Sequence, residues 1–386
     1  MKIVSVVGAR PNFMKIAPLS AAIRKHNSNN PDKPIEHVLV HTGQHYDIRL
    51  SENFFKELGI PEPDINMEIG SGSHAEQVGR TMMAFEKVLT HEKPDWVVVV
   101  GDVNATLACS VTAKKENIKC CHIEAGLRSG DMSMPEEVNR LVTDRLSDLL
   151  LTPDRISGDN LRREGVPEEK IRFVGNIMID TLEANREKAQ ALNIPDVIAR
   201  NRIADTGKLP DVDLSGPLAV VTLHRHSNVD NRDIMGPLLQ FLIDEVCSVM
   251  PVIWPVHPRT MKQLTLFGLW GKAETTKNMM LLHPLGYHDM LRLNMGAKIM
   301  LTDSGGLQEE CCILGTPCLT MRWNTERPVT LREHGGASVL VGNNVERIKQ
   351  EFRKTLASKA VPARPELWDG HTAERIISLF ANEFYE

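Results

Sequence analysis

The sequence predicts an α/β protein of two domains, each with its own parallel β-sheet covered by helices and the two sheets facing across a cleft. Three observations carry this expectation. Short apolar, β-branched runs alternate with longer amphipathic stretches along the chain, the pattern of parallel strands joined by helices. The 386 residues, 42% of them hydrophobic, exceed what one ordinary core takes up and suit two. Polar and unusual residues gather just after the apolar runs in both halves, where open α/β sheets bind their ligands.

In the first half the runs are Ile3 to Val7, Val38 to His41, Trp96 to Val100 and Cys120 to Ile123. In the second they are Ala219 to Leu223, Val252 to Val256, Met279 to Leu282, Lys298 to Leu301 and Cys318 to Met321. Each half is therefore expected to build a Rossmann-like sheet. The stretch PEEVNRLVTDRLSDLL illustrates the helices: Val138, Leu141, Val142, Leu146 and Leu149 fall on one face at helical spacing. Pro135, Glu136 and Glu137 suit its start, because proline lacks an amide donor and carboxylates favour the positive end of the dipole. The polar stretch from Glu183 to Ser215, broken by Pro195, Gly207 and Pro210, reads as the passage between halves. The first crossing is placed near Asn176. The amphipathic stretch from Thr372 to Phe384, after Asp369-Gly370, is expected to return to the first half. These readings put one domain at 1–176 plus 370–386 and the other at 177–369.

Composition excludes several classes. A net charge of −5, with no dense Lys/Arg run flanked by aromatics, argues against nucleic acid as a partner. The seven cysteines include no C-x-x-C, and the adjacent pairs Cys120/Cys121 and Cys311/Cys312 do not readily bridge. They read as buried reduced thiols of a cytoplasmic chain. The opening run reaches Gly8-Ala9-Arg10-Pro11 without a cleavage-like site. No run approaches the roughly 20 apolar residues that cross a bilayer, so no membrane partner is expected. Gly70-Ser71-Gly72-Ser73-His74-Ala75 formally matches a dinucleotide fingerprint but lies outside an opening βαβ unit, and is read as a capped loop before a helix. No histidine stands in a metal-ligand spacing. Neither a metal nor another cofactor is expected.

The candidate site residues follow from the strand-end clusters. In DSGGLQEE, Ser304, Gly305 and Gly306 lie between a buried strand and a helix, where glycines let a diphosphate approach bare amides at the positive helix end. Glu310, about one turn on, is placed to accept ribose hydroxyls. Arg10 and Lys15 after the first strand, His224 at the end of another, and Arg327 in TERP are candidate anion-binding groups. Asp102, Glu124 and Glu136 stand at strand ends or a helix start. Three acids converging on one cleft shift one another's pKa and divide acid and base work.

GARPNFMK, GDVNAT, HIEAGLRSGD, MPEEVNR, VGN, HR, DSGGLQEE and TERP occur in this order across nearly the whole chain. The ordered set resembles the non-hydrolysing UDP-N-acetylglucosamine 2-epimerase family. The resemblance implies the GT-B-like two-domain fold of many nucleotide-sugar glycosyltransferases, a homodimer, a UDP-sugar substrate, and interconversion of UDP-N-acetylglucosamine with UDP-N-acetylmannosamine. It implies Asp102, Glu124 and Glu136 as the acid/base set, and Arg10, His224 and Ser304 around the diphosphate with Gly305 and Gly306 beside it. Glu310 then meets the ribose, and Arg327 the sugar or phosphate. Two relatives in chemistry stay open: a 2-epimerase for a UDP-2,3-diacetamido-uronic acid and a glycosyltransferase of the same fold. The chain departs from the family at His226-Ser227, where HR-x-E-N is common. It departs again at Asp47 of Gln44-His45-Tyr46-Asp47, where many bacterial members carry Q-H-x-Q and bind a second nucleotide sugar as activator. The second departure implies that such regulation is absent or altered here.

The chemistry of this inversion is constrained. The hydrogen on sugar C-2 has no adjacent carbonyl to acidify it, and there is no credible nicotinamide site. Loss of UDP from C-1 with removal of the C-2 proton, followed by re-addition, is the expected route.

Overall fold

The structure, a computed structural model, describes residues 1–8, 10–43, 58–59, 62–203, 212–357 and 361–385; the side chains of residues 10, 11 and 383–385 lie outside the described set. The chain forms two compact units, Met1–Ala184 with Pro365–Glu386, and Asn185–Arg364.

The first unit holds a parallel sheet of seven strands: β1 (Lys2–Val7), β2 (Glu36–His41), β3 (Ile65–Asn66), β4 (Trp96–Val100), β5 (Lys119–Ile123), β6 (Leu149–Thr152) and β7 (Ile171–Phe173). Their spatial order is β3-β2-β1-β4-β5-β6-β7. Its helices are α1 (Arg10–Asn29), α2 (His74–Glu92), α3 (Asn104–Lys115), α4 (Pro135–Leu146), α5 (Arg155–Arg163) and α6 (Ile177–Gln190), which runs on into the second unit. The centre of the sheet is β4, whose sequence WVVVV is buried throughout, as a strand covered on both faces requires. Val4, Val6, Val97 and Val99 pack on one face against Phe85, Val88 and Leu89 of α2.

The second unit holds β8 (Leu218–Thr222), β9 (Val252–Pro255), β10 (Met279–Leu282), β11 (Ala297–Thr302), β12 (Cys318–Thr320) and β13 (Ser338–Leu340), in the order β10-β9-β8-β11-β12-β13. Its helices are α7 (Ile194–Asn201), α8 (His226–Val229), α9 (Arg232–Phe241), α10 (Pro258–Leu266), α11 (Trp270–Thr275), α12 (Tyr287–Gly296), α13 (Gly305–Leu314) and α14 (Val345–Ala357). Alternation along β8 divides the core: Ala219 and Val221 join Trp254, Phe241 and Phe352. Leu218 and Val220 join Ile253, Met280 and Met300 on the other face. Both sheets are thus doubly wound, with strand order reversing beside β1/β4 and β8/β11. Those reversal points are where such sheets bind ligands.

The closing helix α15 (Thr372–Tyr385) belongs to the first unit. Asp180 caps it by accepting from the Thr372 and Ala373 amides at 3.0 and 2.7 Å. Phe380 meets Trp96 with ring centroids 5.3 Å apart, and Trp368 Nε1 donates to the Pro153 carbonyl at 2.9 Å. The chain leaves the first unit after Ala184, within α6, rather than near Asn176. The start of α6 stays with that unit because Thr181 donates to the Met14 carbonyl and Asp180 caps α15.

Two local readings are corrected. Helix α4 ends at Leu146, and Leu149 opens β6 instead of extending the helix. The helix also buries Glu137, Asn139, Arg140, Thr143 and Asp144, while Val138 is exposed. Polar groups with partners inside the unit outweigh the apolar stripe. The short strands β3, β7 and β13, of two or three residues, also lack an apolar run long enough to mark them. The Gly70 to Ala75 stretch is a capped loop: Ser73 caps α2 in a reciprocal capping box with Glu76. All seven cysteines are buried and none forms a disulfide. No helix of the described residues is long and apolar enough to cross a membrane.

Candidate active site

In the first unit the candidate residues collect at the carboxyl ends of β1, β4 and β5. Asn12 of α1 fixes the first of these ends: it accepts from Gly8 N at 3.1 Å and donates to the Val100 carbonyl at 2.9 Å. One turn later Lys15, buried, forms an ion pair with Glu124 Oε2. Gly101 lies beneath that pair with φ +70°, and a β-carbon there would sit 3.2 Å from Lys15 Nζ and 3.7 Å from Glu124 Oε2. A side chain at this position would crowd Lys15 and touch Glu124, so the glycine serves geometry as well as backbone conformation.

Glu124 is the most constrained acid. It is 3% exposed and holds φ +71°, a left-handed conformation that costs a non-glycine residue about 1–3 kcal/mol. Its second oxygen, Oε1, is buried and has no hydrogen-bond partner among the described residues. A carboxylate with one oxygen neutralised by lysine and the other bare is placed to take or give a proton.

Asp102 follows β4 and is partly exposed; its Oδ2 pairs with Arg140. Arg140 is itself buried and held from behind by Glu137, whose Oε2 lies 3.0 Å from Arg140 Nε. Burial pushes the Glu137 carboxyl up, but the Ser129 and Gly130 amides and Arg140 outweigh it and hold the group below the ordinary range. Glu136, its neighbour, is exposed on the first turn of α4, and its side chain makes no hydrogen bond or ion pair with the described residues. The unit therefore joins Lys15 to Glu124 and Asp102 to Arg140, and leaves Glu136 at the surface. The side chain of Arg10 lies outside the described residues, as does the Gln44 to Asp47 segment.

In the second unit the same topological position carries a different set. His224 follows β8, and its Nδ1 lies 2.8 Å from Oδ1 of the fully buried Asp303. Asp303 also accepts from the amides of His224 and Arg225 and from Asn228 Nδ2. Burial pushes this carboxyl up, and His224, Arg225 and Asn228 together hold it below the ordinary range. An ionised Asp303 fixes the Nδ1 proton and turns Nε2 away from the carboxylate. Sequence reasoning gave Asp303 and Arg140 no role and read Glu137 only as part of a helix start. The signals were an aspartate directly after a buried strand and an i, i+3 acid–base pair on α4.

Ser304 occupies the N-cap of α13, yet its hydroxyl makes no capping bond. Gly305 and Gly306 differ in what demands a glycine. A β-carbon at Gly305 would lie 2.7 Å from Arg327 Nη1 and 2.8 Å from Glu326 Oε1, whereas one at Gly306 meets nothing within 4 Å. Packing explains the first glycine and not the second, which stands at the positive end of a helix where an anion is favoured. Arg327 is buried against acids rather than bare: its Nε is 2.8 Å from Glu309, and Glu326 bridges it to Arg322 at 2.6 Å. This network ties the TERP segment to α13. Glu310, 3% exposed, faces Asn294 and Tyr287 of α12; burial pushes its carboxyl up to about 7.

A sequence model of the UDP-N-acetylglucosamine 2-epimerases matches residues 27–381. The chain belongs to this family. It is thus an isomerase of nucleotide sugars. It is 39% identical over 381 residues to the UDP-N-acetylglucosamine 2-epimerase of Methanocaldococcus jannaschii, covering 98% of both chains. The crystal structure of that epimerase in complex with UDP-GlcNAc and UDP matches with a TM-score of 0.86, over 99% of this chain and 100% of that one. The chain is also 37% identical over 382 residues to the UDP-2,3-diacetamido-2,3-dideoxy-D-glucuronate 2-epimerase of Pseudomonas aeruginosa, again covering 98% of both. A glycosyltransferase of kitacinnamycin, 13% identical with a TM-score of 0.58, shares the fold alone. The two doubly wound domains of this epimerase are GT-B-like.

Proposed function

We propose that the protein interconverts UDP-N-acetylglucosamine and UDP-N-acetylmannosamine without hydrolysis. The observation that carries this reading is Glu124, a buried carboxylate in strained backbone with one oxygen on Lys15 and the other bare. Inversion at C-2 needs a base for an unacidified C–H bond and an anchored leaving group. In this reading the second unit holds UDP: Ser304, Gly305 and Gly306 at the α13 terminus and His224 meet the diphosphate, Glu310 the ribose, and Arg327 supports the loop beside them. The first unit supplies Asp102, Glu124 and Glu136 as the acid/base set, with Lys15 and Arg10 as cations for the departing diphosphate.

The C-1–oxygen bond breaks with its electrons going to UDP as the C-2 proton passes to a carboxylate, leaving a 2-acetamidoglucal. A carboxylic acid then protonates C-2 from the opposite face and the UDP oxygen rejoins C-1. A homodimer belongs to the same reading, with the exposed Val138 on α4 and Met132 before it among the apolar residues open to a second copy. So does a cytoplasmic setting, where seven thiols outside any disulfide stay reduced.

A second reading, a 2-epimerase for a UDP-2,3-diacetamido-uronate, is favoured by the 37% identity to the Pseudomonas aeruginosa enzyme, close to the 39% for the Methanocaldococcus jannaschii one. A side-by-side panel of the two nucleotide sugars decides. Turnover of UDP-N-acetylglucosamine at a much higher kcat/KM supports the first reading, and the reverse order replaces it with the second.

A further inference from the structure

Beneath the Gly101 turn lies a buried side chain that the acid/base scheme does not use. His122 of β5 is 0% exposed. Its Nδ1 lies 2.6 Å from Asp144 Oδ1 on α4, and its Nε2 lies 2.8 Å from the Gly101 carbonyl oxygen. A carbonyl oxygen only accepts, so Nε2 carries a proton. An ionised carboxylate also only accepts, so Nδ1 carries one as well. The remaining way to satisfy both contacts puts a proton on Asp144. The surroundings oppose it: Asp144 Oδ2 already accepts from Gly126 N at 3.0 Å and from Arg128 Nη1 at 2.7 Å. Burial pushes the Asp144 carboxyl up, and His122 and Arg128 hold it below the ordinary range. Arg128 is bound in turn to Glu164 at the end of α5, at 2.7 Å. The charged groups on this side of Gly101 therefore alternate in sign, and the chain ends on His122.

We propose that His122 is a positioning residue, held as an imidazolium between Asp144 and the Gly101 carbonyl, which fixes the turn that carries Asp102 and supports the Lys15–Glu124 pair. The Gly101 amide donates to the Ile123 carbonyl at 3.1 Å, so β5 grips this residue by both its N–H and its C=O. A rotation of the Gly101 peptide would change where Asp102 begins, beside the Lys15–Glu124 pair that lies within 4 Å of the β-carbon position at Gly101.

The test begins with the unliganded wild-type protein and owes nothing to the assigned reaction. With ring nitrogens labelled with 15N and assigned through side-chain correlations, His122 should show two protonated nitrogens at neutral pH. A single protonated nitrogen at neutral pH would overturn the proposal. The kinetic half rests on the epimerase reading and uses Asp144→Asn, which keeps the shape and removes the counter-charge. The ring should become neutral, and kcat should fall roughly 10- to 100-fold with KM changed less than about threefold. An unchanged kcat with a neutral ring would also overturn it. If the variant does not fold, the wild-type spectrum alone decides. If the wild-type protein turns over neither nucleotide sugar, the activity reading fails while the spectrum still judges His122.

Discussion

Asp303 Oδ1 lies 2.8 Å from His224 Nδ1, and the same carboxylate accepts from the two backbone amides that open the loop after β8. One buried acid thus sets both the ring and the loop at the site proposed to hold UDP. Asp303→Asn removes the charge and presents an amide nitrogen to at least one donor. We expect UDP affinity to fall on the order of tenfold or more, read by calorimetric titration. His224→Gln should weaken UDP while leaving the loop in place, so its thermal stability should stay closer to wild type than that of Asp303→Asn.

The two glycines of DSGG separate packing from binding. Gly305→Ala brings a methyl against Arg327 and Glu326 and should cost about 1–3 kcal/mol in denaturant unfolding. Gly306→Ala meets no protein atom and should leave stability unchanged while weakening UDP. Equal stability losses for both variants would contradict the assignment of Gly306 to ligand approach.

Glu310 predicts a pH dependence of known sign. Its carboxyl is raised from 4.5 to about 7 by burial, so the folded state binds more protons than the unfolded state between those values. Stability is therefore fully present below about pH 4.5 and declines as pH rises through about 7, by roughly 3 kcal/mol. Glu310→Gln should flatten that part of the profile when unfolding of the two proteins is compared across pH.

Lys15 answers a buried charge. Lys15→Met leaves Glu124 with no other cation paired to it among the described residues. Removing one partner of such a pair costs about 3–5 kcal/mol or forces the acid to take up a proton. We expect a thermal shift downward and a kcat loss of at least 100-fold, with UDP binding by the second unit affected far less.

The sequence made the strands and their ends legible because buried parallel strands are continuous apolar runs, as WVVVV at β4 shows. The family motifs brought Lys15, Asp102, Glu124, His224 and Ser304 into view. What the sequence hid was pairing. The stripe of Val138, Leu141 and Val142 read as a buried face, yet α4 buries Glu137, Arg140 and Asp144 because each finds an opposite charge from another segment or turn. No spacing rule exposes a partner distant in sequence, such as Asp303 for His224 or Asp144 for His122. Arg327 likewise read as a cation for the ligand and is matched by Glu309 and Glu326.

The central claim is that Glu124 and its companions exchange the C-2 proton while the second unit retains UDP. Incubation with UDP-N-acetylglucosamine in deuterated water, followed by NMR of the sugar, tests it most directly. The account predicts UDP-N-acetylmannosamine carrying deuterium at C-2, with label lost in Glu124→Gln while UDP still binds. An epimerised product with protium at C-2 would contradict it.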